Sequence, residues 1–221
     1  MLVFATETSC DETSICLMEN SSIVEHITFS QEIHNIHGGV VPELASRSHL
    51  EKIQIMTNEL FSRKNINPNE IDVFSATCGP GLIGSLLVGS TFTKSLAISF
   101  QKPFIPINHL EGHILSTSFN NGIKFPSLVL LLTGGHTQVY LMKDERNIEL
   151  LGQSIDDAIG EAFDKTAKLI GLSYPGGAEI EREAVRGNEN RFILPKPLVK
   201  EKNFNFSFSG IKTHINLLTK K

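Results

Sequence analysis

Leu2-Val3-Phe4-Ala5-Thr6-Glu7-Thr8-Ser9-Cys10-Asp11-Glu12-Thr13-Ser14-Ile15-Cys16-Leu17-Met18 is the stretch that decides the fold. Residues 2–5 read as a short apolar strand, residues 7–13 as a polar turn, and residues 13–18 alternate as a second strand. A third strand, 23–30, follows the polar turn Asn20-Ser21-Ser22. A helix over 42–62 comes next, with Leu44, Ala45, Ile53, Met56 and Leu60 near helical spacing. The same order returns downstream, with strands at 127–132, 137–142 and 147–152 and a helix at 157–170. In both modules the turn after the first strand is polar and ends in threonine, Thr13 and then Thr137. A repeated meander-plus-helix module predicts two similar α/β lobes, residues 1–122 and 123–221, with ligands at the strand-end turns facing a cleft.

Outward from these modules the halves differ. The first continues through a strand at 71–77, a buried helix at 84–100 and a strand at 104–107, after which Asn108 is a good N-cap for a helix starting at His109. The second continues only through a helix at 178–185, a loop rich in Lys, Pro, Asn and Phe over 188–206, and a last helix at 209–218. Its sheet is therefore expected to lack later strands.

Composition bounds the function. The 221 residues are 40% hydrophobic and 20% charged, which gives a globular core rather than a disordered chain. There is no run of about 18 apolar residues, so no membrane span is expected. The start, Met1 to Glu7, lacks the basic segment of a secretory signal. Three cysteines without a C-x-x-C pair argue against a disulfide scaffold and a cysteine zinc site, and fit a reducing cytoplasm. A net charge of −4 argues against a stand-alone nucleic-acid binder. Residues 1–190 carry net −10 and residues 191–221 net +6. By itself that basic end reads as a solvated tail in preference to a phosphate contact.

Several short patterns carry chemistry. His109 and His113 stand at i and i+4 on one helix face, a spacing that lets two imidazoles chelate one metal. Glu111 lies about 200° round that helix from His109, so the general base of a zinc protease is missing. Leu131, Leu132, Thr133, Gly134 and Gly135 end a strand in a glycine pair whose backbone N–H groups can approach phosphate, although on its own Gly-Gly reads as a plain hairpin turn in preference. Gly79-Pro80-Gly81 enters a helix but has no P-loop lysine, which excludes a Walker nucleotide site. Asp156 and Asp157 open a helix and complement its dipole, and Asp164, two turns on, can reach a ribose hydroxyl.

Taken in order, Glu7-Thr8-Ser9-Cys10-Asp11-Glu12-Thr13, His37-Gly38-Gly39-Val40-Val41-Pro42-Glu43, Gly79-Pro80-Gly81-Leu82, His109-Leu110-Glu111-Gly112-His113, Thr133-Gly134-Gly135-His136-Thr137, Gly160-Glu161-Ala162-Phe163-Asp164-Lys165, Tyr174-Pro175-Gly176-Gly177 and Phe206-Ser207-Phe208-Ser209-Gly210-Ile211-Lys212-Thr213 closely resemble the tRNA N6-adenosine threonylcarbamoyltransferase family, once described as O-sialoglycoprotein endopeptidases. The resemblance covers essentially the whole chain. It implies the duplicated actin, hexokinase and sugar-kinase (RNase H-like) fold. It also implies transfer of threonylcarbamoyl from threonylcarbamoyl-adenylate to N6 of the adenosine next to the anticodon of tRNA, with release of AMP. By the same resemblance His109 and His113 hold iron (Fe2+), and Leu131, Leu132, Thr133, Gly134, Gly135, Asp164 and Gly177 form the adenylate pocket. The resemblance also implies that Glu12 lies near the reacting carbonyl. A paralogous actin-like subunit and a P-loop ATPase are the implied partners. In the family a further adenine-contacting Asn and a third metal ligand, an Asp, follow the Phe-Ser-Phe-Ser-Gly segment, beyond Lys221. A two-histidine site alone predicts weak metal binding. The competing reading is a non-catalytic binding or dimerisation subunit.

Overall fold

The computed structural model describes residues 1–220, the side chains of residues 35, 120 and 121 excepted. The chain divides into two compact units, Met1–Asn121 and Gly122–Lys221.

In the first unit, β1 (Leu2–Glu7), β2 (Glu12–Glu19) and β3 (Ser22–Ser30) form the antiparallel meander, followed by α1 (Pro42–Lys64). β4 (Val73–Gly79), α2 (Ile83–Ser99) and β5 (Phe104–Asn108) complete a sheet of order β3-β2-β1-β4-β5. β4 pairs parallel with both β1 and β5. α3 (His109–Ser116) and the single turn α4 (Ser118–Asn121) end the unit. The strand expected at 71–77 starts at Val73, because Ile71 closes the preceding 3-10 turn Pro68–Glu70 and donates its N–H to Pro68. α1 runs two residues beyond 62. It stops where Asn65 takes a left-handed conformation (φ 51°) and Ile66 N–H bonds back to Phe61 O at 3.0 Å.

Strand alternation sets the core. Phe4, Ile15, Leu17 and Phe74 point to the face covered by α1 and α2 and are fully buried. Ile53, Met56 and Leu60 meet them from one face of α1. The Phe4 ring lies 5.5 Å from Phe61 and 5.7 Å from Phe74, tilted against both. α2 corrects the expectation of a buried helix. Its buried positions are the small residues Ser85, Gly89, Thr93 and Ala97, one turn apart, while Ile83, Leu87 and Ile98 are exposed. Small residues let the helix lie close on β1. Thr6 and Thr93 hydroxyls meet at 2.7 Å, Thr8 Oγ1 donates to Ser85 O at 2.8 Å, and a Cβ on Gly89 would collide with Thr8 Oγ1.

In the second unit, β6 (Ser127–Leu132), β7 (Thr137–Asp144) and β8 (Asn147–Gln153) form a three-stranded antiparallel sheet of order β6-β7-β8. β6 is covered on one side only: Leu131 is buried, whereas Leu128, Leu130 and Leu132 are exposed. α5 (Ile159–Leu169), α6 (Gly176–Ala184) and α7 (Ser209–Leu218) follow. The meander and first helix repeat the opening of the first unit. Among the described residues no strand pairs correspond to β4 and β5.

Replacing Gly89 with Ala should lower the urea-unfolding free energy by about 1–3 kcal/mol, the usual cost of overpacking. Gly112→Ala, where an added Cβ meets nothing within 4 Å, should lower it by less or not at all.

Candidate functional site

In the first unit the residues with chemistry collect at the ends of β1, β4 and β5. The turn after β1 is held from two sides. Leu82 N–H and a close approach by Gly81 fix Ser9 O, with a Gly81 Cβ placed 2.7 Å from that oxygen. On the other side His49, fully buried on α1, has Nε2 at 2.9 Å from Cys10 O and Nδ1 at 2.8 Å from Thr13 Oγ1. A carbonyl only accepts, so Nε2 of His49 carries the proton and Nδ1 takes the Thr13 hydroxyl. Gln31 extends the network by accepting from His34 Nε2 at 2.9 Å, and His34 Nδ1 accepts Val41 N–H at 3.3 Å. His34 and His49 are thus joined in one buried chain of neutral donors and acceptors that runs from the start of α1 to the first turn.

That turn ends beside the histidine pair. Asn108 caps α3 through Leu110 N–H at 2.9 Å and Glu111 N–H at 3.3 Å, and so starts the helix at His109 as the sequence predicts. His109 and His113 rings stand edge to face at 4.5 Å, with their Nε2 atoms 3.1 Å apart. Two nitrogens bound to one divalent ion at about 2.0–2.1 Å lie about 3.0–3.4 Å apart, so the pair fits a shared metal. Imidazole pairs suit iron as well as zinc, copper or nickel. Among the described residues no group of three His, Cys, Asp or Glu side chains is placed to hold a metal.

Glu7 faces the other nitrogen of His109, with Oε2 at 3.2 Å from Nδ1. Ser9 N–H donates to its Oε1 at 2.5 Å, and Ser9 Oγ is itself 3.2 Å from His109 Nδ1. Burial would raise the pKa of Glu7, but hydrogen bonds from His109, Ser9 and Thr77 outweigh it and hold the carboxyl at about 2. Glu7, His109 and His113 line one end of a pocket of about 510 Å³, within the size range of small-molecule sites; Ala5, Cys16, Met18 and Ile107 supply apolar wall. Glu12 is not among the residues lining it. That side chain is exposed at the start of β2 and accepts from Ser30 Oγ at 2.8 Å. Glu7 is the residue the sequence reading passed over. Its signal was strand parity: Ala5 and Glu7 fall on the face opposite Phe4 and Thr6.

In the second unit Thr133, Gly134 and Gly177 meet α5 beside Gly160, Phe163 and Asp164. The turn between β6 and β7 closes on Thr133, whose hydroxyl accepts His136 N–H at 2.9 Å. Gly134 and Gly135 have open space where a Cβ would lie. Gly160, at the start of α5, packs on the turn so closely that a Cβ would stand 2.7 Å from Thr133 O and 2.8 Å from Gly134 Cα. One helical turn further, Asp164 Oδ1 accepts Gly176 N–H at 2.7 Å, which sets Gly177 beside it and starts α6 two residues before the expected 178. Leu131 is buried, and Leu132 is exposed. The hollow beside Gly135 measures only 70 Å³, too small to enclose a nucleotide.

Asp156 and Asp157 correct a simpler expectation. They do not merely complement the α5 dipole. Asp156 accepts from Ser207 Oγ at 2.5 Å, Ser209 Oγ at 2.7 Å and Phe208 N–H at 2.8 Å, and thereby fixes the entry of α7. Burial works against its ionisation, but these donors hold it well below the usual carboxylate range. Asp157 is kept ionised by Lys165 at 2.8 Å and Lys212 at 2.5 Å.

The profile of the tRNA N6-adenosine threonylcarbamoyltransferase family matches residues 22–219. A protein of that description from Fervidobacterium nodosum is 48% identical over 217 residues, which covers 97% of this chain and 64% of the relative. One from Brucella suis is 48% identical over 221 residues, covering 97% and 62%. The chain thus spans a little under two thirds of the length of these relatives. Among solved structures, component A of (R)-2-hydroxyglutaryl-CoA dehydratase from Acidaminococcus fermentans superposes with a TM-score of 0.50 at 11% identity, covering 100% of this chain and 69% of that one. It bears on fold alone. The fold is the α/β class of the actin, hexokinase and sugar-kinase architecture.

Burial holds the His49 pKa below its ordinary value of 6.5, against the raising pull of Cys10 O, Glu7 and Asp11. A depressed folded-state pKa means that the unfolded chain binds the proton first as pH falls. Stability is therefore full above about pH 6.5 and declines as pH drops towards the folded value. Urea midpoints measured from pH 8 to pH 5 should fall in the unsubstituted chain. They should change less with pH in His49→Gln, from a lower starting point.

Proposed function

Because the chain belongs to the tRNA N6-adenosine threonylcarbamoyltransferase family, we propose that it contributes to transfer of threonylcarbamoyl from threonylcarbamoyl-adenylate to N6 of the adenosine next to the anticodon of tRNA. The N6 nitrogen attacks the carbamoyl carbonyl, the carbonyl–oxygen bond of the mixed anhydride breaks, AMP leaves, and N6 loses a proton. The observation that carries the reading is the His109–His113 pair, its Nε2 atoms 3.1 Å apart in the lining of a 510 Å³ pocket.

His109 and His113 are the residues that would hold iron. When bound, the metal supplies a Lewis acid for the carbamoyl carbonyl and the phosphate leaving group. The rest falls to the chain's own groups. Gly134 and Gly135 are assigned to the phosphate through their backbone N–H groups, and nothing lies within 4 Å of where a Cβ on either would stand. Asp164 spends Oδ1 on Gly176, and Oδ2 is assigned to a ribose hydroxyl. Thr133, Leu132 and Leu131 offer backbone to the adenylate, and Gly177 allows its close approach. Glu12 stays assigned beside the reacting carbonyl on family grounds. The proposed setting is the cytoplasm, with a paralogous actin-like subunit and a P-loop ATPase as partners. Exposed Ile83 and Leu87, one turn apart on α2, support a protein partner. No helix among the described residues is long and apolar enough to cross a membrane.

A second reading, a non-catalytic binding subunit, draws support from the lack of a third metal-binding side chain among the described residues. Two measurements separate the readings. Calorimetry should find AMP bound at least about tenfold more tightly than GMP, with both affinities weakened in Asp164→Ala because its assigned partner is the ribose common to the two. Equal affinities would overturn the adenosine pocket. Single-turnover transfer of labelled threonylcarbamoyl to unmodified tRNA, with the partner proteins present, should drop about 10²–10³-fold in His109→Ala. AMP binding with no transfer at all would favour the binding subunit.

A further inference from the structure

Glu7 is the last residue of β1, and three neighbours fix its carboxylate. Ser9 N–H, in the turn that follows, donates to Oε1 at 2.5 Å. Thr77, on the adjacent strand β4, hydrogen-bonds to the side chain. His109 Nδ1, at the start of α3, lies 3.2 Å from Oε2. The side chains are partly shielded, with Glu7 34% and His109 21% exposed, so the charged hydrogen bond is only partly weakened by water.

The chemistry of the acceptor decides the tautomer. A carboxylate has no proton to give, so His109 must present Nδ1–H to it, and the lone pair of the neutral ring then sits on Nε2. Nε2 is the atom that faces His113 Nε2 at 3.1 Å. Ser9 Oγ, also 3.2 Å from Nδ1, shares the same proton and reinforces the same orientation. Glu7 addresses the opposite side of the ring from Nε2, which is the place of a group that aims a ligand and not of a ligand.

We propose that Glu7 is the positioning residue of the metal centre: its carboxylate, clamped by Ser9 and Thr77, fixes the tautomer and ring orientation of His109 so that Nε2 is delivered to the metal beside His113. The inference rests on the metal reading given above and extends it to a residue that makes no metal bond. Removing an outer partner of a metal-bound imidazole typically costs about 10–100-fold in affinity.

The test is Co²⁺ titration of the unsubstituted chain and of Glu7→Gln, Glu7→Asp and His109→Ala, followed by the visible ligand-field bands. The expected result is saturable binding in the unsubstituted chain, loss of it in His109→Ala, and affinity weakened about 10–100-fold in Glu7→Gln with unchanged band positions at saturation. Glu7→Asp keeps the charge and should recover part of the affinity; it also serves if Glu7→Gln loses its far-ultraviolet circular dichroism. Unchanged affinity in Glu7→Gln overturns the inference and leaves the metal reading standing. Shifted bands at saturation overturn it too, because Glu7 would then be a ligand. Absence of saturable binding in the unsubstituted chain, or its persistence in His109→Ala, overturns the metal reading and the inference with it.

Discussion

The seating of Thr8 and Ser9 against the start of α2 is the constraint on which the first unit's site depends. Thr8 Oγ1 reaches Ser85 O, Leu82 N–H reaches Ser9 O, and Gly81 and Gly89 leave room for both contacts. Any larger residue at 81 or 89 would push the turn off the helix. The Ser9 N–H that holds Glu7, and Glu7 against His109, would move with it. His49 closes the same turn from α1 through Cys10 O and Thr13. Two helices from one face of the sheet thereby locate a carboxylate that acts on the other face.

That dependence explains why the site was only half legible in the sequence. The i, i+4 spacing of His109 and His113 is a local property of a helix, and Asn108 is a local cap, so both could be read directly. Glu7 could not. Its partners Thr77 and His109 are distant in sequence and are set by the parallel pairing of β4 with β1 and with β5. The same holds for α2. A run of apolar residues reads as a buried helix, but close packing selects the small side chains Ser85, Gly89, Thr93 and Ala97 for the sheet and turns Ile83, Leu87 and Ile98 outward. Hydrophobicity was visible, and the direction it faced was not.

The second unit shows the same division. Its strands and the glycine turn follow from alternation and turn chemistry. The joins between them rest on single side chains whose partners lie far along the chain. Asp156 accepts from Ser207, Phe208 and Ser209, about fifty residues away, so the start of α7 is fixed at the start of α5. With Asp156 and Asp157 so engaged, α5 begins at Ile159 and not at 157. Asp164 likewise gives Gly176 a cap and sets the start of α6.

The duplicated module carries different chemistry in its two copies. In the first unit the turn after the opening strand carries Glu7 and the hydroxyls of Thr8 and Ser9, and its acceptors leave His109 Nε2 as an electron-pair donor suited to a cation. In the second unit the equivalent turn has no acidic side chain. Gly134 and Gly135 expose backbone there, and Gly160 brings the N-terminal end of α5 against it, with the Asp156 carboxylate lining the hollow beside Gly135. One backbone plan therefore yields a turn that carries a carboxylate and a turn that carries a glycine pair. The difference comes from the carboxylate of Glu7 on the first and from the glycine pair of the second.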